Sequence, residues 1–373
     1  MSKQRILSIE YIRGLSMLGV IGIHTGAYSL TNPNVNIHLF ALLEIFTRFS
    51  VPIFFFVSAF GLFLHHNLEA PFHYTNFMKR RCRAVFIPYV VWSILYLVHY
   101  TLISGDSSPW LPGIFIKYLL FGLASYQLYF LVILLWFYSL MPLWRIIVKK
   151  IATAPLFYLT VLLVLQIVVN YYSSYLLEAN FANRYLNLLI QHRLSYWIIH
   201  YVFIFLFGAV CALHYEQFIH KLKKYRIPVS LFFSIALAGM LGSYYYLLLI
   251  KHYSPEAAVN TIHQLSPIGV LYTLATTLFL LVLFQFYRLT PFLKVILSLL
   301  GERSYAVYLV HPFVMYYLID LINSQAIPMT VPVVLAFYLS TVAISLLISW
   351  LIHYSSRFYP TIGILLTGSA AKK

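Results

Sequence analysis

Charge is what this 373-residue chain has least of: Asp, Glu, Lys and Arg together make up 9% of it, where about a quarter is usual in a soluble domain. Acidic residues are the scarcest, nine against 25 basic ones. So little polar surface cannot cover a core of this size, which excludes a water-soluble globule. Cysteine is nearly missing as well. Cys82 and Cys211 are the only two, both beside basic stretches read as facing a reducing cytoplasm, so no disulfide is expected. Internal repeats are absent too, which counts against the inverted-repeat transporters.

What is present is apolar and aromatic: 62% hydrophobic residues, with 32 Tyr, 30 Phe and 6 Trp, a composition suited to lipid-facing helices with interfacial belts. The expectation is an all-α, polytopic integral membrane protein, a single domain over 1–373 with about ten transmembrane helices. The spans read as 6–28, 38–64, 84–103, 126–144, 154–172, 194–213, 228–250, 267–286, 304–323 and 331–352. The segment 113–124 is too short to cross and carries Lys117, so it reads as re-entrant or interfacial. The stretch 291–300 reads as an interfacial amphipathic helix leading into the ninth span. Lys3 and Arg5 precede an apolar run as in a signal peptide, but Glu10 and Arg13 interrupt that run and no small-residue cleavage site follows. It is read as an uncleaved first span.

Alternate connections separate the basic residues. The N-terminal end, 65–83, 145–150, 214–226, 287–303 and the tail hold 20 Lys and Arg, against four on the other side: Lys117, Arg184, Arg193 and Lys251. The positive-inside rule then places both termini in the cytoplasm, in a multi-pass protein of the plasma membrane. The formal charge of +16 belongs to these connections and to anionic membrane lipid, so no nucleic-acid partner is expected.

Ionisable groups at membrane depth are costly, which makes each one a candidate. Arg13 and His24 are eleven residues apart, or 1100°, three turns plus 20°; they share one face of the first span, about 16 Å apart along its axis. Arg13 could also snorkel and pair with Glu10, and His24 could simply bond a neighbouring helix. Gly14, Gly19, Gly22 and Gly26 on the same span allow close approach, more commonly of another helix than of a ligand. Glu44 and Arg48, one turn apart in the second span, either neutralise each other or join Asp320, His99 and His200 around a polar cavity open to the outside. In KRRCR at 79–83, Arg80 and Arg83 share a helical face suited to a phosphate pair, while Lys79 and Arg81 suit lipid headgroups. Ser304 can cap the ninth span with Glu302 just ahead of it, and His311 precedes Pro312, which frees a backbone carbonyl. Packing and function both explain that pair.

Together these pieces resemble the acyltransferase-3 family of integral membrane acyltransferases. IRGLSMLGVIGIH, with Arg13 and His24, is similar to its first-span motif. VPIFFFVSAFG at 51–61, which contains Ser58, looks like its second-span motif. Arg80-x-x-Arg83 and SYAVYLVHP at 304–312 resemble a basic motif before span three and a late-span motif. The resemblance implies an acyl-CoA donor, acetyl-CoA first among them, entering from the cytoplasm, and an acceptor hydroxyl on a glycan or lipid-linked sugar outside. It also implies that Arg80 and Arg83 hold the CoA phosphates and that Arg13 positions the donor. His24 would be catalytic, as general base or transient acyl carrier, and no metal is expected. Arg48 is a candidate for the oxyanion. Two departures stand out: Ser58-Ala59 replaces the family's Ser-Gly, with Gly61 two residues on, and no appended extracytoplasmic domain is expected. The rival reading is an exporter of polysaccharide or lipid-linked sugar, with Glu44, Arg48 and Asp320 along its path. Homo-oligomerisation stays open, because lipid-facing and partner-facing apolar surfaces look alike in sequence.

Overall fold

In hydrocarbon, every backbone N–H and C=O must find its partner within the chain, so runs this apolar have to be helical. In the computed structural model, which describes residues 6–64 and 68–369, every regular element is a helix. Lys3, Arg5, Lys372 and Lys373, part of the charge count at the two termini, lie outside the described residues. Helix α1 is Leu7–Ser29 and α2 is Ile37–Phe63, followed by α3 (Tyr74–Ser104), α4 (Pro112–Phe121), α5 (Tyr129–Ser139) and α6 (Met141–Thr153). Then come α7 (Pro155–Leu176), α8 (Ile198–Leu213), α9 (Tyr215–Lys224) and α10 (Arg226–Leu249). The last four are α11 (Pro267–Phe286), α12 (Pro291–Ser324), α13 (Val331–Phe358) and α14 (Pro360–Thr367). Prolines open α4, α6, α11, α12 and α14 within their first two positions, where the missing N–H costs nothing.

Each of the ten stretches read from the sequence coincides with a helix, but length and composition support seven candidate spans among the described residues, or up to nine. The difference lies in two bent pairs, α5 with α6 (72°) and α8 with α9 (101°). Helix α1, long enough at 23 residues, is not among the seven; Glu10, Arg13 and His24 interrupt its apolar run. Two basic connections read as loops, 145–150 and 214–226, lie in the short helices α6 and α9. In α6, Met141, Trp144, Val148 and Ile151 are buried on one stripe while Arg145, Lys149 and Lys150 lie off it. The stretch 291–300, read as a helix leading into the ninth span, is helical and continuous with that span in α12, a single helix of 34 residues capped by the Thr290 side chain. The segment 113–124 forms α4, ten residues long and too short to cross.

Long helices present apolar stripes outward, as lipid contact requires: Val161, Leu165 and Val168 on α7, Ile227, Leu231 and Ile235 on α10, and Leu335 and Leu339 on α13 are all exposed. Together with the span count this marks an integral membrane protein.

The chain divides into two compact units. The first comprises Met1–His66, Pro155–Ser174 and Phe203–Leu347. Its core is α1, packed by α2, α11 and α12. Gly14 lies against the Leu297 carbonyl and Gly301 against that of Glu10, so α1 and α12 meet backbone to backbone. Phe55, Phe56, Phe60 and Phe63 of α2 are fully buried, and Gly208 lets α8 close on Phe56. The second unit comprises Asn67–Ala154, Tyr175–Val202 and Ile348–Lys373. There α14 docks on α3: Trp92 Nε1 donates to the Leu366 carbonyl at 2.9 Å, and Gly368, at φ 71°, abuts Ala84.

The glycines of α1 are therefore packing devices, and their cost can be measured. A Cβ at Gly14 would run into backbone on α12, whereas one at Gly61 meets nothing within 4 Å. Gly14→Ala is expected to cost about 1–3 kcal/mol and Gly61→Ala nothing, compared by thermal melting in one detergent.

Candidate functional site

The site is built on two stripes. Helix α1 carries Arg13 and His24 on one face. Helix α12 carries Ser304 and His311 seven residues apart, 700° or two turns less 20°, also on one face. The stripes join at two rungs. Arg13 Nη2 donates to Ser304 Oγ at 2.9 Å, and the His24 ring stacks on that of His311 with centroids 5.4 Å apart at 24°. Arg13 and His24 are half-buried, whereas Ser304 and His311 are buried.

Ser304 is not a cap. Because α12 starts at Pro291, Ser304 lies mid-helix, where its hydroxyl donates back to the Gly301 carbonyl at 3.0 Å and accepts from Arg13. His311 is held from below: its Nδ1 lies 2.8 Å from the Tyr308 carbonyl and 3.2 Å from that of Val307.

Glu44 and Arg48 neutralise each other. Their side chains meet at 2.7 Å, with 5% and 14% of their respective surfaces accessible. A π-helical turn over Ala41–Ile45 interrupts α2 at this point, giving the pair room beside α1, where Gly26 packs against the Glu44 side chain. Arg48 also reaches Gln264 Oε1 at 3.5 Å and lies within electrostatic reach of His24. Gln264 escaped the sequence reading because its loop carries no motif. Next to it, burial and then the Arg48 charge push the His263 imidazole down to about 4, so it is neutral at pH 7.

Asp320 and Glu302 are exposed and do not join this cluster. Each is nine residues from His311, 900° or two and a half turns, which is the opposite face of α12. His99 and His200 belong to the second unit, so the outer polar cavity expected around Glu44, Arg48, Asp320, His99 and His200 is not assembled in the first. Ser58 is half-buried on α2, Ala59 is fully buried and Gly61 is exposed; Gly61 therefore supplies no close backbone approach in place of Ala59.

Arg80 and Arg83 are in the second unit, both exposed, within α3 rather than ahead of it. A π-helical turn over Cys82–Phe86 follows directly on Arg81. The Arg81 guanidinium sits 5.3 Å from both the Phe77 and Tyr138 rings.

In the first unit, α1 runs between two cavities. One of about 800 Å³ is lined at the start of the helix by Ser8, with Leu64, His214, Glu216, Gln217 and Gln285. The other, about 610 Å³, lies past its end, where Asn32, Asn34, Asn36, His38, Met329 and Thr330 line it. None of its lining residues is Asp, Glu, Lys or Arg. Arg13 is five residues from Ser8 and His24 five from the helix end at Ser29, so the two lie in opposite halves of α1.

A family model described as an acyltransferase domain, of the acyltransferase-3 type, matches residues 6–350. No curated protein and no solved structure matches the chain.

Proposed function

This chain belongs to the acyltransferase-3 family, and from that premise we propose that it is a membrane O-acyltransferase of the plasma membrane. It moves an acyl group, acetyl or similar, from acyl-CoA at the cytoplasmic face to a hydroxyl of a glycan or lipid-linked sugar on the other side. The observation that carries this reading is α1 itself, which has Arg13 in its first half and His24 in its second, each joined to α12, and a cavity at either end. The uncharged, amide-rich lining near the His24 end suits a neutral polyhydroxylated acceptor, since each amide offers both donors and acceptors to a hydroxyl.

In the reaction His24 takes the proton of the acceptor hydroxyl, whose oxygen attacks the thioester carbonyl. The tetrahedral intermediate collapses by breaking the C–S bond, and the departing CoA sulfur takes the proton back from His24. If His24 is instead the acyl carrier, its ring nitrogen forms and then releases an acyl bond in two such steps. Arg80 and Arg83, both exposed, hold the donor's phosphates. Arg13, anchored by Ser304, guides the donor, and the Arg48 charge near His24 favours the oxyanion. A transport path is less well supported: Glu44 and Arg48 are committed to each other, and Asp320 lies on the face of α12 opposite to His311.

Binding of acetyl-CoA and longer acyl-CoAs to the purified protein in nanodiscs tests the donor side. Saturable binding is expected, weakened by tenfold or more in the Arg80→Ala, Arg83→Ala double variant, at about 1.4 kcal/mol for each tenfold. A folded preparation that binds no CoA thioester would turn the choice back to transport.

A further inference from the structure

Pro312 lies inside α12. Having no N–H, it leaves the Tyr308 carbonyl, four residues back, without its helical hydrogen bond. The residue that takes up that carbonyl is His311, whose Nδ1 lies 2.8 Å from it and 3.2 Å from the Val307 carbonyl. Both neighbours are acceptors, so Nδ1 carries the ring's proton, and Nε2 is its acceptor nitrogen in the neutral form. His311 is fully buried, which keeps bulk water from competing for these carbonyls. Its ring is thus fixed in rotation and tautomer by a backbone defect one residue away. Against that ring stacks His24, at 5.4 Å and 24°.

We propose that His311 is a positioning residue: anchored to the carbonyl that Pro312 frees, its ring sets the orientation in which His24 meets its substrates. The inference rests on the function proposed above, in which His24 does the chemistry. It also gives the His-Pro pair one purpose, because neither residue alone would hold the ring.

Pro312→Ala is the decisive variant, since it restores an N–H aimed at the Tyr308 carbonyl and displaces His311 Nδ1 without touching either histidine. A purely structural role for Pro312 predicts a more stable protein with unchanged activity. Positioning predicts a higher melting temperature together with a kcat lowered about tenfold to a hundredfold, and an acyl-CoA KM within about twofold of wild type. Activity is followed as radiolabel passing from acetyl-CoA into the membrane glycan fraction of the producing cells. Carbethoxylation by diethyl pyrocarbonate, read by peptide mass spectrometry, supplies a measurement that needs no acceptor. In Pro312→Ala, His311 is expected to become modifiable and His24 to react several-fold faster.

His311→Phe, which keeps a ring but loses the donor, should lower kcat to a similar extent. The double variant should be no worse than the worse single one, because both break the same contact. Unchanged kcat, a change confined to KM, losses that multiply in the double variant, or an unaltered modification pattern would each overturn the proposal. If no acyl-CoA supports transfer in wild type, the function proposed above falls. The modification rates then decide alone whether His311 holds His24.

Discussion

His24→Ala is expected to lower acyl transfer by about 10²- to 10⁴-fold while leaving acyl-CoA affinity within about twofold. The expectation follows from where the side chain sits. It is half-buried on α1 and stacks on His311, whereas the donor's phosphates are assigned to other residues, the exposed Arg80 and Arg83. Losing the imidazole should therefore spare the donor and remove the chemistry. The same residue separates the two routes open to it. Radiolabelled acyl-CoA, mixed with wild-type protein without acceptor and quenched in milliseconds, leaves label on the protein if His24 is an acyl carrier and none if it is a base. A variant that keeps more than about a tenth of wild-type turnover would remove His24 from both roles.

The stripe that makes this prediction possible was legible in the sequence because it lies on one helix. Eleven residues place Arg13 and His24 on the same face whatever surrounds them. The partners of that stripe were not legible. Arg13 meets Ser304 across 291 positions of chain, and His24 meets His311 only because Gly14 and Gly301 let α1 and α12 touch. No local pattern records such a meeting. Asp320 lies elsewhere for another reason: residue counting gives its depth in the membrane and not its direction around the helix. A nine-residue separation from His311 puts it on the opposite face. Ser304 reads as a cap because the apolar run of the ninth span begins near it, whereas the helix begins at Pro291, where Thr290 supplies the cap. The apolar helices themselves were the most legible feature, because hydrocarbon leaves the backbone no alternative. The bends at Leu140 and His214 depend on short basic helices that composition reads as loops.

The Glu44–Arg48 pair carries the largest expected effect on stability. Both side chains are removed from water, at 5% and 14% accessible, and their charges meet at 2.7 Å. Glu44→Ala would leave the Arg48 guanidinium with Gln264, at 3.5 Å, as its remaining neutral partner. Breaking such a buried pair from one side costs about 3–5 kcal/mol, measured as the shift in the denaturation midpoint of the detergent-solubilised protein. Removing both charges, as Glu44→Gln with Arg48→Met, should recover most of that loss, since the penalty belongs to the unpaired charge rather than to the missing contact. That recovery also opens a question about chemistry that the single variants cannot address. If Arg48 favours the oxyanion beside His24, the double variant should fold and bind acyl-CoA yet transfer more slowly, by about 10²-fold or more. If the pair serves packing against Gly26 alone, turnover should return along with stability. A double variant as unstable as Glu44→Ala would mean that shape at this break in α2, and not charge, holds α1 in place.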